Sequence, residues 1–450
     1  MSTWYEQAIF YHMYPLGITG APKINVQTEV TDRFKELDQW IPHIRSLGCN
    51  AIYIGPLFES SSHGYDTRDY KLVDRRLGTN DDFREFTKLC HENGIRVVVD
   101  GVFNHTGREF FAFRDIQKNR ENSPYRCWYQ DVSFEGNTHY NDGFYYKAWH
   151  NCFELANLNL WDRGVKDYLL DVVRFWIDEF DIDGIRLDCA DCLQFDFMKE
   201  LRWVTGQKKE DFWLMGEVIH GDYARWVNDE TLHSVTNYEL WKGLYSGHND
   251  HNYFEIAHTI RRQFDANGGI YKGCRLYSFV ENHDVDRIVN KLKEKGFLQS
   301  VYTLLYTLPG IPSVYYGGEW GVEGRKEGAC DDGLRPHLVL SEMEANPPIP
   351  ELKGLLCKLG AIRQANLALT DGVYRELLLT NRQYAFARIL GNEAVITAVN
   401  NDANPVHMEI NCPVSASGAQ EALTGTDAEL QDGRIIWEMP AYGSAIFVIC

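Results

Sequence analysis

Residues 183–188 read DGIRLD, a short apolar run whose last residue, Asp188, sits where a strand would hand the chain to a loop. The same design recurs in FWLMGE (212–217) and LYSFVENHD (276–284), which deliver Glu217 and Asp284 just beyond their apolar stretches. In a parallel barrel the C-terminal ends of all strands lie on one face, so these runs predict that the carboxylates converge there.

Working outward, five further runs have the same character: AIFYHMY (8–14), NAIYIGP (50–56), IRVVVDGVFN (95–104), HSVTNYE (233–239) and IPSVYYG (311–317), making eight in all. Amphipathic stretches separate several of them. DRFKELDQWIPHIRSLG precedes the second run, DDFREFTKLCHENG the third and GVKDYLLDVVRFWIDEF the fourth. Alternation of this kind predicts repeated βα units, and eight of them predict a (β/α)8 barrel. Between the third and fourth runs the chain makes a long excursion with many aromatics and little periodicity, a pattern that carries function or forms a small inserted subdomain. Trp128, Tyr145, Tyr146 and Trp149 in that excursion are expected to form one wall of a cleft. After the helical stretch ELKGLLCKLGAIRQA (351–365), the alternating segments YAFARIL, EAVITAVNN, HMEINC, RIIWEMP and SAIFVIC predict a C-terminal antiparallel β-sandwich. The expected division is therefore a barrel over residues 1–105 and 156–367, an inserted segment over 106–155 and a C-terminal domain over 368–450.

Composition narrows the partners. The 450 residues carry 45 Lys and Arg against 64 Asp and Glu, a formal charge of −19, which disfavours nucleic acid and anionic membrane surfaces. An uncharged substrate fits better. No stretch approaches the length of a membrane span, and MSTWYEQAIFYHMY lacks the basic and apolar regions of a secretory signal. The 11 cysteines are odd in number and scattered; thiols such as Cys152, Cys189 and Cys192 are read as reduced, which points to a cytoplasmic protein.

Six strings identify the relatives: HGYDTRDY (63–70), DGVFNH (100–105), GIRLDCAD (184–191), GEVIH (216–220), FVENHD (279–284) and GIPSVYYGGEWG (310–321). In this order and at these strand ends, the chain resembles the α-amylase family, glycoside hydrolase family 13, over nearly its whole length. SPYRCWY and GEVIH are similar in style to the neopullulanase- and cyclomaltodextrinase-like members, without the extra N-terminal β-domain of that group. The resemblance implies a retaining hydrolase of α-1,4-glucosidic bonds in maltooligosaccharides, cyclodextrins or starch, with no organic cofactor. An α-glucan transglycosylase or a sugar phosphorylase on the same fold is the alternative, and an inactive carbohydrate-binding homologue is a third reading.

The residues suit that chemistry. Cleaving an acetal with retention needs one carboxylate that attacks and one carboxylic acid that protonates the leaving oxygen. Asp188 lies two residues after Arg186, on the same strand face, where a guanidinium favours the charged form a nucleophile needs. Glu217 emerges from an apolar strand into a site with other carboxylates, conditions that favour the protonated acid. By resemblance Asp284 binds sugar hydroxyls and helps distort the ring, His105 and His283 hydrogen-bond the sugar at the cleavage point, Tyr65 stacks on it and His63 makes a neighbouring contact. Asp100 and Asn104 are expected to support the site.

The chain also departs from the family pattern. Where many members carry a Lys-His pair after the nucleophile, this chain has Asp191 and Cys192, so the acceptor side differs. The resemblance leaves calcium as an option at Asn104, but Ala156 and Asn157 replace the usual Pro-Asp and PLGITGAPKIN (15–25) lacks an Asp-rich pattern, so no obligatory metal is expected.

Overall fold

The computed structural model describes residues 3–26, 28–328 and 330–449. Eight parallel strands form the central sheet: β1 (Phe10–Met13), β2 (Ala51–Ile54), β3 (Arg96–Gly101), β4 (Gly184–Leu187), β5 (Trp213–Gly216), β6 (Ser234–Val235), β7 (Tyr277–Phe279) and β8 (Ile311–Tyr315). Neighbours in the sheet follow chain order, and β8 returns to pair with β1. The barrel closes between β6 and β7 through a parallel bridge, Thr236 to Tyr277, reinforced by the Asn237 N–H donating to the Tyr277 carbonyl at 2.8 Å.

Each predicted apolar run contains one of these strands. The largest contraction is at HSVTNYE, of which only Ser234–Val235 is strand. There Asn237 turns the chain into the helix Tyr238–Asn249, its side chain accepting from the Leu240 N–H.

The period of two along the strands separates two environments. Phe10, Ala51, Tyr53, Val98, Trp213, Met215, Tyr277, Phe279 and Ile311 pack together inside the barrel, with Phe10 stacked on Trp213 at 4.9 Å. Tyr11, Ile52, Val97, Val99, Ile185, Leu214 and Val314 belong instead to the shell under the helices. Those helices begin on strong local signals. Thr79 and Asp82 form a capping box for α1 (Asn80–Glu92), and Asp162 accepts from Gly164 and Val165 to start α2 (Arg163–Phe180). The amphipathic stretch over residues 32–48 forms two helices, Phe34–Asp38 and Trp40–Ser46. Pro42 is the reason: it has no N–H to offer the Asp38 carbonyl and its ring would collide with it.

The excursion after β3 contains a small antiparallel sheet of His105–Gly107, Ala148–Trp149 and Cys152–Asn157. Its aromatics do not all face a cleft as expected. Tyr146 is fully buried with Phe113 and Phe144, because the segment needs a core of its own, and Trp128 packs on Tyr125, Phe111 and the α2 residue Tyr168. Trp149 is the one placed beside a site residue, its ring 6.2 Å from His105.

After the helix α3 (Pro350–Ala365), a six-stranded and a three-stranded antiparallel sheet face each other across Ala385, Ile396, Met408, Ile410, Ile435 and Phe447. The outer face of the larger sheet, with Tyr384, Phe386, Val395, Val399 and Ile446, joins the main core of the barrel. Arg388 secures that junction, fully buried and donating five hydrogen bonds to the carbonyls of Thr307, Leu369, Thr370 and Gly372.

Candidate active site

Strand register brings the polar groups together. Asp100 on β3 and Met215 on β5 both stand opposite Arg186 on β4, so the guanidinium lies between the inward-facing ends of two neighbouring strands. The ladder runs one residue past the strands: the Asp188 N–H donates to the Gly101 carbonyl at 3.1 Å and the Glu217 N–H to the Leu187 carbonyl at 2.9 Å. Both carboxylates therefore start from fixed backbone at the mouth of the barrel.

Arg186 is the hub. Its Nη1 contacts Asp100 Oδ1 at 2.8 Å and Asp188 Oδ1 at 2.9 Å, while Nη2 reaches Glu217 Oε2 at 2.8 Å. Asp100 is further held by the Tyr53 hydroxyl at 2.7 Å and the Tyr65 hydroxyl at 3.3 Å. These donors fix the guanidinium plane, and with it the two carboxylates beyond it. Oxygens of Asp188 and Glu217 and the sulfur of Cys189 all lie within 4.8 Å of one another.

The electrostatics divide the carboxylates. Burial pushes the Glu217 carboxyl up; Arg186 opposes this, Asp188 and Asp284 add to it, and the net result is about 8. A group poised there is protonated at neutral pH. At Asp284 enclosure also pushes upward, but His283, Arg335 and Arg186 outweigh it and hold the carboxyl well below the usual carboxylate range. Asp284 is bonded to His283 Nε2 at 2.9 Å and Arg335 Nη2 at 3.0 Å, and the Asn282 side chain accepts from its N–H.

The sequence-derived candidates occupy one mouth. His283 lies between Tyr14 and Tyr65, with near-parallel rings at 5.9 and 5.8 Å, and its Nε2 bonds the Tyr65 hydroxyl. Its Nδ1 is buried and unpartnered, as is Nε2 of His105. Burial, together with the neighbouring His63, lowers His105 to about 3, so it presents a neutral imidazole. Free ring nitrogens of this kind suit the hydroxyls of an uncharged ligand. His63 lines the adjoining cavity of about 440 Å³ with Tyr14, Lys23, Asp332, Arg335 and His337, and its Nδ1 accepts from the Tyr65 N–H.

Sequence reasoning passed over three residues here. Arg335, bonded to Asp284, Asp331 and the His283 carbonyl, comes from the irregular loop after β8, where no periodicity marks it. Tyr14 was read only as strand. Cys189 opens a Cys-Ala-Asp-Cys run at 189–192, a spacing that could have singled it out.

At the calcium position the resemblance offered, the Asn104 carbonyl accepts from the Leu158 N–H and its side chain faces His105 at 3.2 Å. Among the described residues, the one group of three His, Cys, Asp or Glu donors close enough to hold a metal ion is Asp188, Cys189 and Glu217, and Arg186 already occupies both carboxylates. Neither place forms a cage of acidic oxygen ligands.

Residues 34–351 match the family model described as the alpha amylase catalytic domain. The chain is similar to a cyclomaltodextrinase of Thermoanaerobacter pseudethanolicus, 31% identical over 461 residues that cover 97% of this chain and 77% of that protein. It is also similar to an intracellular maltogenic amylase of Bacillus subtilis strain 168, 28% identical, covering 90% of this chain and 70% of the other. In structure it matches the ligand-free cyclic α-maltosyl-(1→6)-maltose hydrolase of Arthrobacter globiformis with a TM-score of 0.84 at 25% identity, covering all of both chains.

Proposed function

We propose that this chain, which belongs to the α-amylase family, hydrolyses α-1,4-glucosidic bonds of maltooligosaccharides, cyclodextrins or starch with retention of anomeric configuration. The carrying observation is the pair Asp188 and Glu217, whose oxygens approach within 4.8 Å. Retaining enzymes hold their two carboxyl groups about 5–5.5 Å apart, whereas inverting enzymes leave about 6.5–9.5 Å for a water between them.

In this reading Asp188 attacks the anomeric carbon and Glu217, protonated because of its burial, gives its proton to the leaving oxygen. Water then enters on the side of Glu217, which takes back a proton as the glycosyl bond to Asp188 breaks. Arg186 supports the charge of Asp188 before the attack and again as the glycosyl bond breaks. Asp284 grips sugar hydroxyls from its cradle of His283 and Arg335, His105, Tyr65 and His283 complete that subsite, and His63 makes a neighbouring contact from the adjoining cavity. The proposal keeps the division into barrel (1–105, 156–367), inserted segment (106–155) and C-terminal unit (368–450), and assigns all the chemistry to the barrel mouth.

No helix among the described residues is long and apolar enough to cross a membrane, and a relative carries the name intracellular maltogenic amylase; on that basis the protein is assigned to the cytoplasm. The test is incubation with maltotriose, maltoheptaose, cyclodextrin and starch. Reducing sugar released first as the α-anomer is expected. Failure to release sugar from any of the four would overturn the assignment, and release of the β-anomer would overturn retention.

A further inference from the structure

Cys189 follows the proposed nucleophile and makes two contacts with the reacting centre. Its Sγ lies 3.3 Å from Asp188 Oδ2, and its backbone N–H donates to Glu217 Oε2 at 3.1 Å. The residue is in the left-handed region, φ 46° and ψ 46°, which L side chains other than Asn and Asp seldom adopt. That conformation turns the chain from β4 into the short helix Ala190–Cys192 and directs the N–H and the thiol of one residue at two different carboxylates. The Ala190 N–H also donates to the Glu217 carbonyl at 3.0 Å, so the turn clamps the acid as well.

Asp188 is thus held unequally. Oδ1 takes a strong charge-assisted bond from Arg186, and among the described residues Oδ2 takes only the thiol. A thiol is a weak donor, which can orient an oxygen without withdrawing much of its electron density. Burial raises the Cys189 thiol well above its ordinary range, and Asp188 and Glu217 raise it further, so the sulfur keeps its proton. The charged and titratable groups facing Asp188 are Arg186 on its own strand, Asp100 from β3, Glu217 from β5, Tyr70, and Cys189 and Cys192 in the following turn. Among them only Arg186 and Cys189 donate hydrogen bonds to the Asp188 side chain.

We infer that Cys189 is a positioning residue whose thiol donates to Asp188 Oδ2, aiming the oxygen that Arg186 leaves free at the anomeric carbon while preserving its nucleophilicity. The inference rests on Asp188 being the nucleophile. Its test is the acidic limb of the pH profile of kcat/KM in Cys189→Ala and Cys189→Ser. Losing a donor to a carboxylate disfavours the charged form, so the alanine variant should move the limb upward by about half a pH unit and lose about 2- to 5-fold in kcat/KM. A hydroxyl donates more strongly, so the serine variant should place the limb at or below the wild-type position. Alanine and serine are both smaller than cysteine, so a purely packing role moves both variants the same way.

An upward shift of the limb in the alanine variant, with the serine limb at or below the wild-type position and equal melting temperatures, is the expected result. Limbs that superimpose on wild type, or that shift together, overturn the inference, and so does a variant that loses stability with no movement of the limb. Asp188→Asn, measured alongside, separates the two levels: if it stays active the nucleophile assignment fails, and if it is inactive while the Cys189 limbs stay still, only the role of the thiol fails.

Discussion

Two buried guanidiniums, Arg186 at the barrel mouth and Arg388 at the base of the C-terminal sandwich, solve the same physical problem in opposite ways. Each carries a charge out of water and must satisfy its donors there. Arg388 does so with backbone carbonyls, five bonds whose acceptors have no other state to adopt. Arg186 does so with three carboxylates, each of which can gain a proton or form a bond. The first arrangement can only hold two layers together. The second holds competing charges within a few ångströms: burial, aided by Asp188 and Asp284, outweighs Arg186 and gives Glu217 a proton, while His283 and Arg335 let Asp284 keep its charge. Burial of a charge is therefore not the mark of a site; the mark is whether its partners can change.

The comparison breaks most sharply at Asp188. Asp188→Asn should cut kcat by about 10^4- to 10^6-fold while leaving the melting temperature near that of the wild type, as read by steady-state kinetics and calorimetry. Glu217→Gln should cost about 10^2- to 10^4-fold. Because the active form of Glu217 is protonated and its carboxyl is raised to about 8, wild-type kcat/KM should fall as pH rises through that value, and the variant should lack this limb. Arg388→Leu should show the converse pattern. It strands the buried carbonyls that Arg388 caps and should lower the unfolding free energy by about 3 kcal/mol, with kcat per folded molecule within about twofold of wild type. An equal loss of activity there would erase the distinction between the two arginines. The smallest effect is expected from EDTA: dialysis against it should leave the rate unchanged, since neither Asn104 nor the Asp188 group offers an acidic oxygen cage.

Strand ends were legible because a barrel converts position along a strand into position in space. The Asp188, Glu217 and Asp284 that follow apolar runs in the sequence do meet at one mouth, and the eight runs each hold a strand. Residues outside that periodic frame were less legible. Arg335 reaches Asp284 from a loop 51 residues further on, with no local pattern to announce it, whereas Tyr14 closes the first apolar run and enters the site by stacking on His283. Tyr146 shows the opposite failure, an aromatic read as cleft wall that serves the core of its own segment. Composition cannot distinguish these roles, because the same ring satisfies either.

What the sequence determined by itself was the barrel, the order of its strands and the placement of three carboxylates at strand ends, because hydrophobic period and strand-end placement are local properties that survive without coordinates. The tertiary structure alone decided which charges face each other. Register sets Asp100 opposite Arg186, the left-handed turn at Cys189 directs two donors at two carboxylates, and a distant loop brings Arg335 to Asp284 and to the Tyr14 hydroxyl. Ionisation depends on those distances and on exclusion of water, both produced by the assembled mouth and by no single segment of the chain.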